Sequence, residues 1–267
     1  MANSESGESV IDRVVKILSA FSKDAPLLTM SELSRSTGLP GSTAHRLASD
    51  LLAAGLLERD KDGRFGVGAK MWELAARSNP VEEFRRRGLP VLEGIHAAVR
   101  QHVSLAVPRF ENFTVLYVER LDQHGSAVIL SEVAGRLDAH NTSPGLAMMA
   151  HAPLDVQNRM LSTELEQTTA ATETDPARIR AHLALIRERG FARLAGVLVA
   201  DNVSYAVPVL GPANKVIGAV SVVTPLSEDA PELIIPVLVA AGRTLSRTMG
   251  AERRPYGSRP WLRTARA

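Results

Sequence analysis

MSELSRSTGLPGSTAHRLASDLLAAGLLERDKDGRFGVGAKMWELA, residues 30–75, is the stretch whose reading decides the fold. Thr29 just ahead of it and Glu32 three residues later form a capping-box pattern, which predicts a short helix over 30–36. Gly38 then supplies the left-handed backbone that ends a helix, because it carries no Cβ. Pro40 fits a first helical position. Beyond it Ala44, Leu47, Ala48, Leu51 and Leu52 recur at helical spacing up to Gly55, giving a second helix with one apolar face. The opposite face presents Ser42, Thr43, His45, Arg46, Ser49 and Asp50. Two short helices joined by a Gly turn make a helix-turn-helix, whose second member fits a DNA major groove. Hydroxyls at its start reach phosphates or bases, and Arg46 can grip a guanine edge or a phosphate.

The flanks extend this unit. Residues 56–59 and 64–67 read as two short strands, and Asp62-Gly63 between them is a hairpin-turn signal, so a wing follows the second helix. Arg59, Lys61 and Arg64 place positive charge on that wing, and Glu58, Asp60 and Asp62 offset it. Lys61 and Arg64 are its candidate phosphate contacts. Upstream, Val10, Val14, Ile17, Leu18 and Phe21 predict an amphipathic helix over 9–22 that supplies a core face. Gly63, Gly66 and Gly68 do not make a nucleotide loop, since the third Gly of G-x-G-x-x-G would fall on Met71.

The whole chain has 267 residues, 45% of them hydrophobic and 22% charged, which suits two modest folded domains and excludes a disordered or collagen-like chain. With no Cys, a disulfide framework, a Cys-ligated zinc site and a thiol nucleophile are excluded. The longest strongly apolar stretch, residues 233–241, holds Pro236 and falls far short of the about 18 residues of a membrane span. The polar, acidic start carries no signal-peptide pattern, so a cytoplasmic protein is expected. Net charge is +2, but the last 17 residues alone carry five Arg against Glu252, leaving the remainder slightly acidic. That Arg-rich tail, 251–267, reads as flexible, either a solubilising extension or an accessory phosphate-binding element.

Behind residue 80, β-rich runs at 103–107, 114–118 and 127–133 are separated by turn residues. Residues 144–165 and 175–189 read as helices, 191–194, 203–209 and 216–223 as strands with a turn at 211–214, and 231–249 as a closing helix. The expectation is an α+β domain.

The 30–75 run closely resembles the winged helix-turn-helix of the IclR family of bacterial transcriptional regulators. The likeness is carried by Glu32-Leu33-Ser34, Thr37 to Pro40, Ser42, Thr43, Arg46 and Leu47, the aromatic-bearing hairpin and Gly68. Further matching stretches are 136–150, IRERGFA at 186–192, AVPV at 206–209 and VIGAVSVV at 216–223. The resemblance implies a fold of three parts: an N-terminal winged helix-turn-helix over 9–68, a linker helix over 69–80 and a C-terminal GAF-like α/β effector domain over 81–250. Residues 1–8 and 251–267 are expected to be disordered.

It also implies where an effector sits. The family's ligand lies beside a turn leading into a helix, here His140, Asn141, Thr142, Ser143 and Pro144, and beside strand positions matched by Leu194, Ser204, Ser221 and Val223. Four departures alter the pocket. Pro144 replaces a residue whose N–H helps hold a carboxylate, Leu146 stands where Lys is usual, and Leu194 and Val223 replace polar contacts. The resemblance therefore points to an effector with an apolar or aromatic body and one polar end. Tyr117, Leu116 and Leu130 are further candidate lining residues.

No catalytic or metal chemistry is expected. The seven histidines include no HExxH pair. Asp138, His140 and Ser143 are the three residue types of a hydrolytic triad but lack a G-x-S-x-G elbow. The reading is a regulator without cofactor, binding an inverted-repeat operator in double-stranded DNA and modulated by a small molecule. The resemblance adds that it forms a homodimer, and that two dimers can join as a tetramer. The alternative is a GAF-like sensor or hydrolase whose winged helix mediates protein contacts.

Overall fold

A computed structural model describes residues 8–77, 79, 81–122 and 127–252. It divides into two compact units at Asn79/Pro80. The polar N-terminus before residue 8, the turn at 123–126 and the Arg-rich tail from 253 onward lie outside the described residues.

The first unit runs α1 (Val10–Ser19), β1 (Leu27–Leu28), α2 (Met30–Thr37), α3 (Gly41–Ala53), β2 (Leu57–Arg59), β3 (Phe65–Val67) and α4 (Ala69–Arg77). Local chemistry sets its boundaries. The Thr29 hydroxyl accepts from the Glu32 N–H at 3.3 Å while the Glu32 carboxylate accepts from the Thr29 N–H at 2.8 Å. The same capping box opens α1 at Ser9 and Asp12. Gly38 closes α2 at φ 67°, the left-handed region. Pro40, expected as the first helical residue, is instead the extended N-cap of α3 at φ −53° and ψ 139°. Ala44, Leu47, Ala48 and Leu51 are buried against Ile17, Leu33, Leu57 and Phe65, so the apolar face of α3 is the centre of this core. Truncating Leu47 to Ala there costs about 2–5 kcal/mol. The β2–β3 hairpin is completed by β1, which no sequence signal marked, in the order β1-β3-β2.

The second unit is built on a six-stranded antiparallel sheet in the order β6-β5-β4-β9-β8-β7. Its strands are β4 (His102–Arg109), β5 (Thr114–Leu121), β6 (Arg136–Asp138), β7 (Ala192–Ala195), β8 (Asn202–Leu210) and β9 (Val216–Pro225). Its helices are α5 (Glu82–Val99), α6 (Ser143–Met149), α7 (Leu154–Leu161), α8 (Pro176–Arg189) and α9 (Pro231–Thr248). Strand side chains alternate between faces. Val203, Tyr205, Val207, Val220 and Val222 pack with α5 and α9 on one face. Ala106, Ala206 and Ala219 face α6 and α8 on the other. Alanines let α6 lie close to the sheet, and Gly145 permits the tight turn into it: a Cβ there would fall 2.2 Å from the Ala139 carbonyl oxygen.

Helix α5, containing Pro90, is an element for which the sequence reading held no expectation, and two expectations for this unit are corrected. The helix expected at 144–165 is two helices, because Pro153 has no N–H to continue the first and instead caps α7. Most consequential, residues 127–133 are not a strand. The β5 edge is occupied by β6, with Thr114 opposite Asp138 and Leu116 opposite Arg136. The displaced segment has its carbonyls met by side chains: Asn202 Nδ2 donates to Val128 O at 2.8 Å, and Arg120 donates to Ser131 O.

Candidate functional site

In the first unit, α3 exposes Ser42, His45 and Arg46, with Thr43 half-buried beside them. Arg46 pairs with Asp50 one turn on, at 3.2 Å, with both side chains more than half exposed. Such surface pairs are weak and leave the guanidinium available to a phosphate or base. The turn before α3 is stiffened by Ser34 Oγ donating to Leu39 O at 2.9 Å and Thr37 Oγ1 donating to Leu33 O at 2.7 Å.

On the wing the two candidate cations differ. Lys61 is exposed at the hairpin tip and makes no ion pair among the described residues. Arg64 is turned back onto Asp60, with Nε and one terminal nitrogen each 2.9 Å from Oδ2. The other Asp60 oxygen accepts from the N–H groups of Asp62 and Arg64, both at 2.9 Å. Partial burial raises the Asp60 carboxyl, but the bonds from Arg64 and Asp62 outweigh it and hold the group below its ordinary value. Arg64 thus braces the hairpin, and Arg59 lies over the Phe65 ring at 4.5 Å.

In the second unit a cavity opens between the sheet and the 127–131 and 197–199 segments. Asn141, Thr142, Ser143, Pro144, Leu194, Ser204, Ser221 and Val223 all line it, as do Tyr117 and Leu130. Two expected residues do not. His140 directs Nε2 to the Glu166 carbonyl at 2.9 Å, so it braces the loop behind the cavity. Leu116 points to the opposite face of the sheet and packs with the α5–α9 core. The Asp138, His140, Ser143 triad is not assembled either: Ser143 Oγ has no hydrogen-bond partner and the His140 ring is already engaged.

The cavity walls are chiefly apolar, through Leu130, Leu137, Leu194, Val197, Val223 and the Tyr117 ring. Burial pushes the Tyr117 phenol up, so it is neutral. The polar groups are unevenly satisfied. Thr142 caps α6, donating to Asp138 O at 2.8 Å and accepting from Gly145 N at 3.3 Å. Ser221 shares a 2.7 Å hydrogen bond with Ser104. Asn141 uses its Nδ2 on Thr168 at 3.0 Å, but its Oδ1 is buried without a partner, as is Ser143 Oγ. Buried polar atoms are nearly always paired, so these two are the cavity groups that bonding within the protein leaves open. Sequence reasoning missed the roof residues Val128, Ile129 and Ser131, because a segment that lacks strand pairing leaves only its tertiary position as a signal.

Among the described residues no group of three or more His, Asp or Glu is placed to hold a metal, and no helix is long and apolar enough to cross a membrane.

A winged helix-turn-helix carried in one chain with a largely apolar cavity defines a ligand-responsive DNA-binding regulator. Residues 10–61 match the IclR helix-turn-helix domain, and residues 81–247 match the bacterial transcriptional regulator IclR C-terminal domain. The chain belongs to the IclR family. It is 27% identical to the HTH-type transcriptional regulator BhcR of Paracoccus denitrificans, covering 97% of this chain and 93% of that protein. Among solved structures it resembles an IclR homolog from Microbacterium hydrocarbonoxydans complexed with 4-hydroxybenzoate, at 36% identity and TM-score 0.82, over 90% of this chain and all of the other. An IclR homolog from Microbacterium sp. strain HM58-2 is 34% identical with TM-score 0.59, over 92% and 100% of the two chains.

Proposed function

We propose that this regulator acts as a homodimer on an inverted-repeat operator in the cytoplasm and is switched by a small aromatic acid, without catalysing a reaction. In this reading residues 9–68 hold the DNA, 69–80 link, and 81–250 sense. Ser42, Thr43, His45 and Arg46 enter the major groove, while Lys61 meets a phosphate beside it. A two-fold dimer presents two such helices to related half-sites. Apolar residues left exposed on α1 and α4 favour a dimer, notably Ile11 at 69% and Trp72 at 74% exposure.

The observation that carries the effector reading is the pairing of apolar cavity walls with the unpartnered Ser143 Oγ and Asn141 Oδ1. Apolar walls take an aromatic ring, and the two polar atoms take one polar end. The 4-hydroxybenzoate held by the 36% identical homolog supports a ligand of this class. Binding must favour one arrangement of the DNA-binding units over the other to act on transcription. Footprinting for a two-fold operator, repeated with 4-hydroxybenzoate and with glyoxylate, tests the reading. Protection altered by the aromatic acid alone is expected. A response to glyoxylate alone, or protection of a single half-site by a monomer, refutes it.

A further inference from the structure

A groove on the opposite face of the sheet runs between the start of α5, the end of β4 and the end of α9, and it shares no lining residue with the effector cavity. Val81, Phe84, Val107, Ile217 and Met249 make its walls apolar. Three charged side chains line it as well: Glu83, Arg87 and Arg109. Glu83 and Arg87 pair at 2.7 Å across one turn of α5, and Arg87 also donates to the Thr248 carbonyl at the end of α9, again at 2.7 Å. Those two opposite charges offset each other.

Arg109 is left without such a partner. It is half-buried at the end of β4, and its side chain makes no hydrogen bond or ion pair among the described residues, with Nε buried and unpartnered. A guanidinium is always charged and carries five N–H donors. Set among apolar side chains it is partly removed from water, so leaving its donors unpaired is more costly than at an open surface. The groove thus combines apolar walls with one uncompensated positive charge. A carboxylate meets the planar guanidinium fork in two parallel bonds, and an apolar body attached to it covers the walls.

We propose that this groove is a second ligand site of the effector unit, taking a small carboxylate with an apolar tail, its carboxylate held by Arg109 and its tail laid against Phe84, Ile217 and Met249. The Glu83–Arg87 pair borders the site and keeps Arg87 from adding a second free charge, so a monoanion fits better than a dianion. The site is independent of the aromatic-acid reading of the other cavity.

Titration calorimetry of the full-length protein with octanoate, octanamide and acetate tests it, with the methyl signal of Met249 in the nuclear magnetic resonance spectrum reporting where the ligand sits. Octanoate is expected to bind the wild type roughly tenfold or more tightly than octanamide, which lacks the charge, the ratio a charge-assisted hydrogen bond provides. Acetate, which lacks the apolar tail, should bind weaker still. Octanoate should also displace the Met249 signal. In Arg109→Gln the preference for octanoate over octanamide falls to near one, and because Arg109 gives up no bond within the protein the variant should fold. The Met249 signal in the wild type needs no variant: octanoate that binds without moving it sits elsewhere and overturns the proposal. An undiminished preference in Arg109→Gln overturns it too, as does absence of binding to the wild type. If octanoate fails to bind and Arg109→Gln dissociates the oligomer in sedimentation, the groove belongs to a second copy of this chain, and the proposal falls.

Discussion

Replacing Ser143 by Ala should change stability and ligand affinity in opposite directions. Ser143 is 1% exposed at the start of α6, and its hydroxyl is buried with no hydrogen-bond partner. Leaving such a group unsatisfied costs about 1–3 kcal/mol, so deleting the oxygen should leave the ligand-free protein as stable or about 1 kcal/mol more stable. The cavity that one oxygen leaves is too small to offset this. In the complex the same hydroxyl bonds to the polar end of the ligand, and its loss should weaken binding by about 0.5–1.5 kcal/mol, or roughly two- to thirteenfold. Denaturant unfolding of the ligand-free variant gives the first quantity, and calorimetric titration with an aromatic acid gives the second. A Ser143→Ala protein destabilised by more than about 1 kcal/mol would mean the hydroxyl is satisfied without ligand, and unchanged affinity would remove it from the site. Ser221→Ala is the contrasting case: its 2.7 Å bond to Ser104 is lost, so stability should fall even without ligand.

Arg46→Ala should weaken operator binding by about 1–3 kcal/mol, while thermal stability moves little because its ion pair with Asp50 is exposed. Unchanged affinity at fixed salt would take Arg46 out of the interface. Lys61→Ala should flatten the log–log salt dependence by about 0.9, one phosphate contact, whereas Arg64→Ala should instead destabilise the wing through Asp60. Equal slopes for wild type and Lys61→Ala would leave the hairpin as scaffold. Glu32 is held below its ordinary value of 4.5 by the Thr29 backbone and hydroxyl bonds. Its stabilisation is thus present above 4.5 and lost as pH falls through the lower folded value. Glu32→Gln should shrink the acid-side loss of thermal stability, and an unaltered pH profile would contradict the capping-box account.

The helix-turn-helix was legible because every feature that shapes it is local. The Thr29–Glu32 box, Gly38, the Ala44 to Leu51 stripe and the Asp62-Gly63 turn each act within a few residues, so sequence spacing and spatial contact coincide. Even there, the direction of Arg64 was not legible, because Asp60 gathers two N–H groups and the guanidinium only once the hairpin closes.

The effector unit divides differently. Resemblance located Asn141, Ser143, Leu194, Ser204, Ser221 and Val223 around one cavity. Sequence alone did not separate His140 and Leu116 from them, since which side of a turn or strand a residue faces depends on strand pairing far along the chain. The β-rich run 127–133 reads as a strand by composition, yet β6 takes the β5 edge and turns the run into a cavity roof. The same long-range pairing sets Ser221 of the cavity opposite Ser104, 117 positions away in sequence. Local hydrogen bonds and periodicity determined the DNA-binding fold from sequence, and only sheet register, a competition among distant edges, decided what lines the cavity.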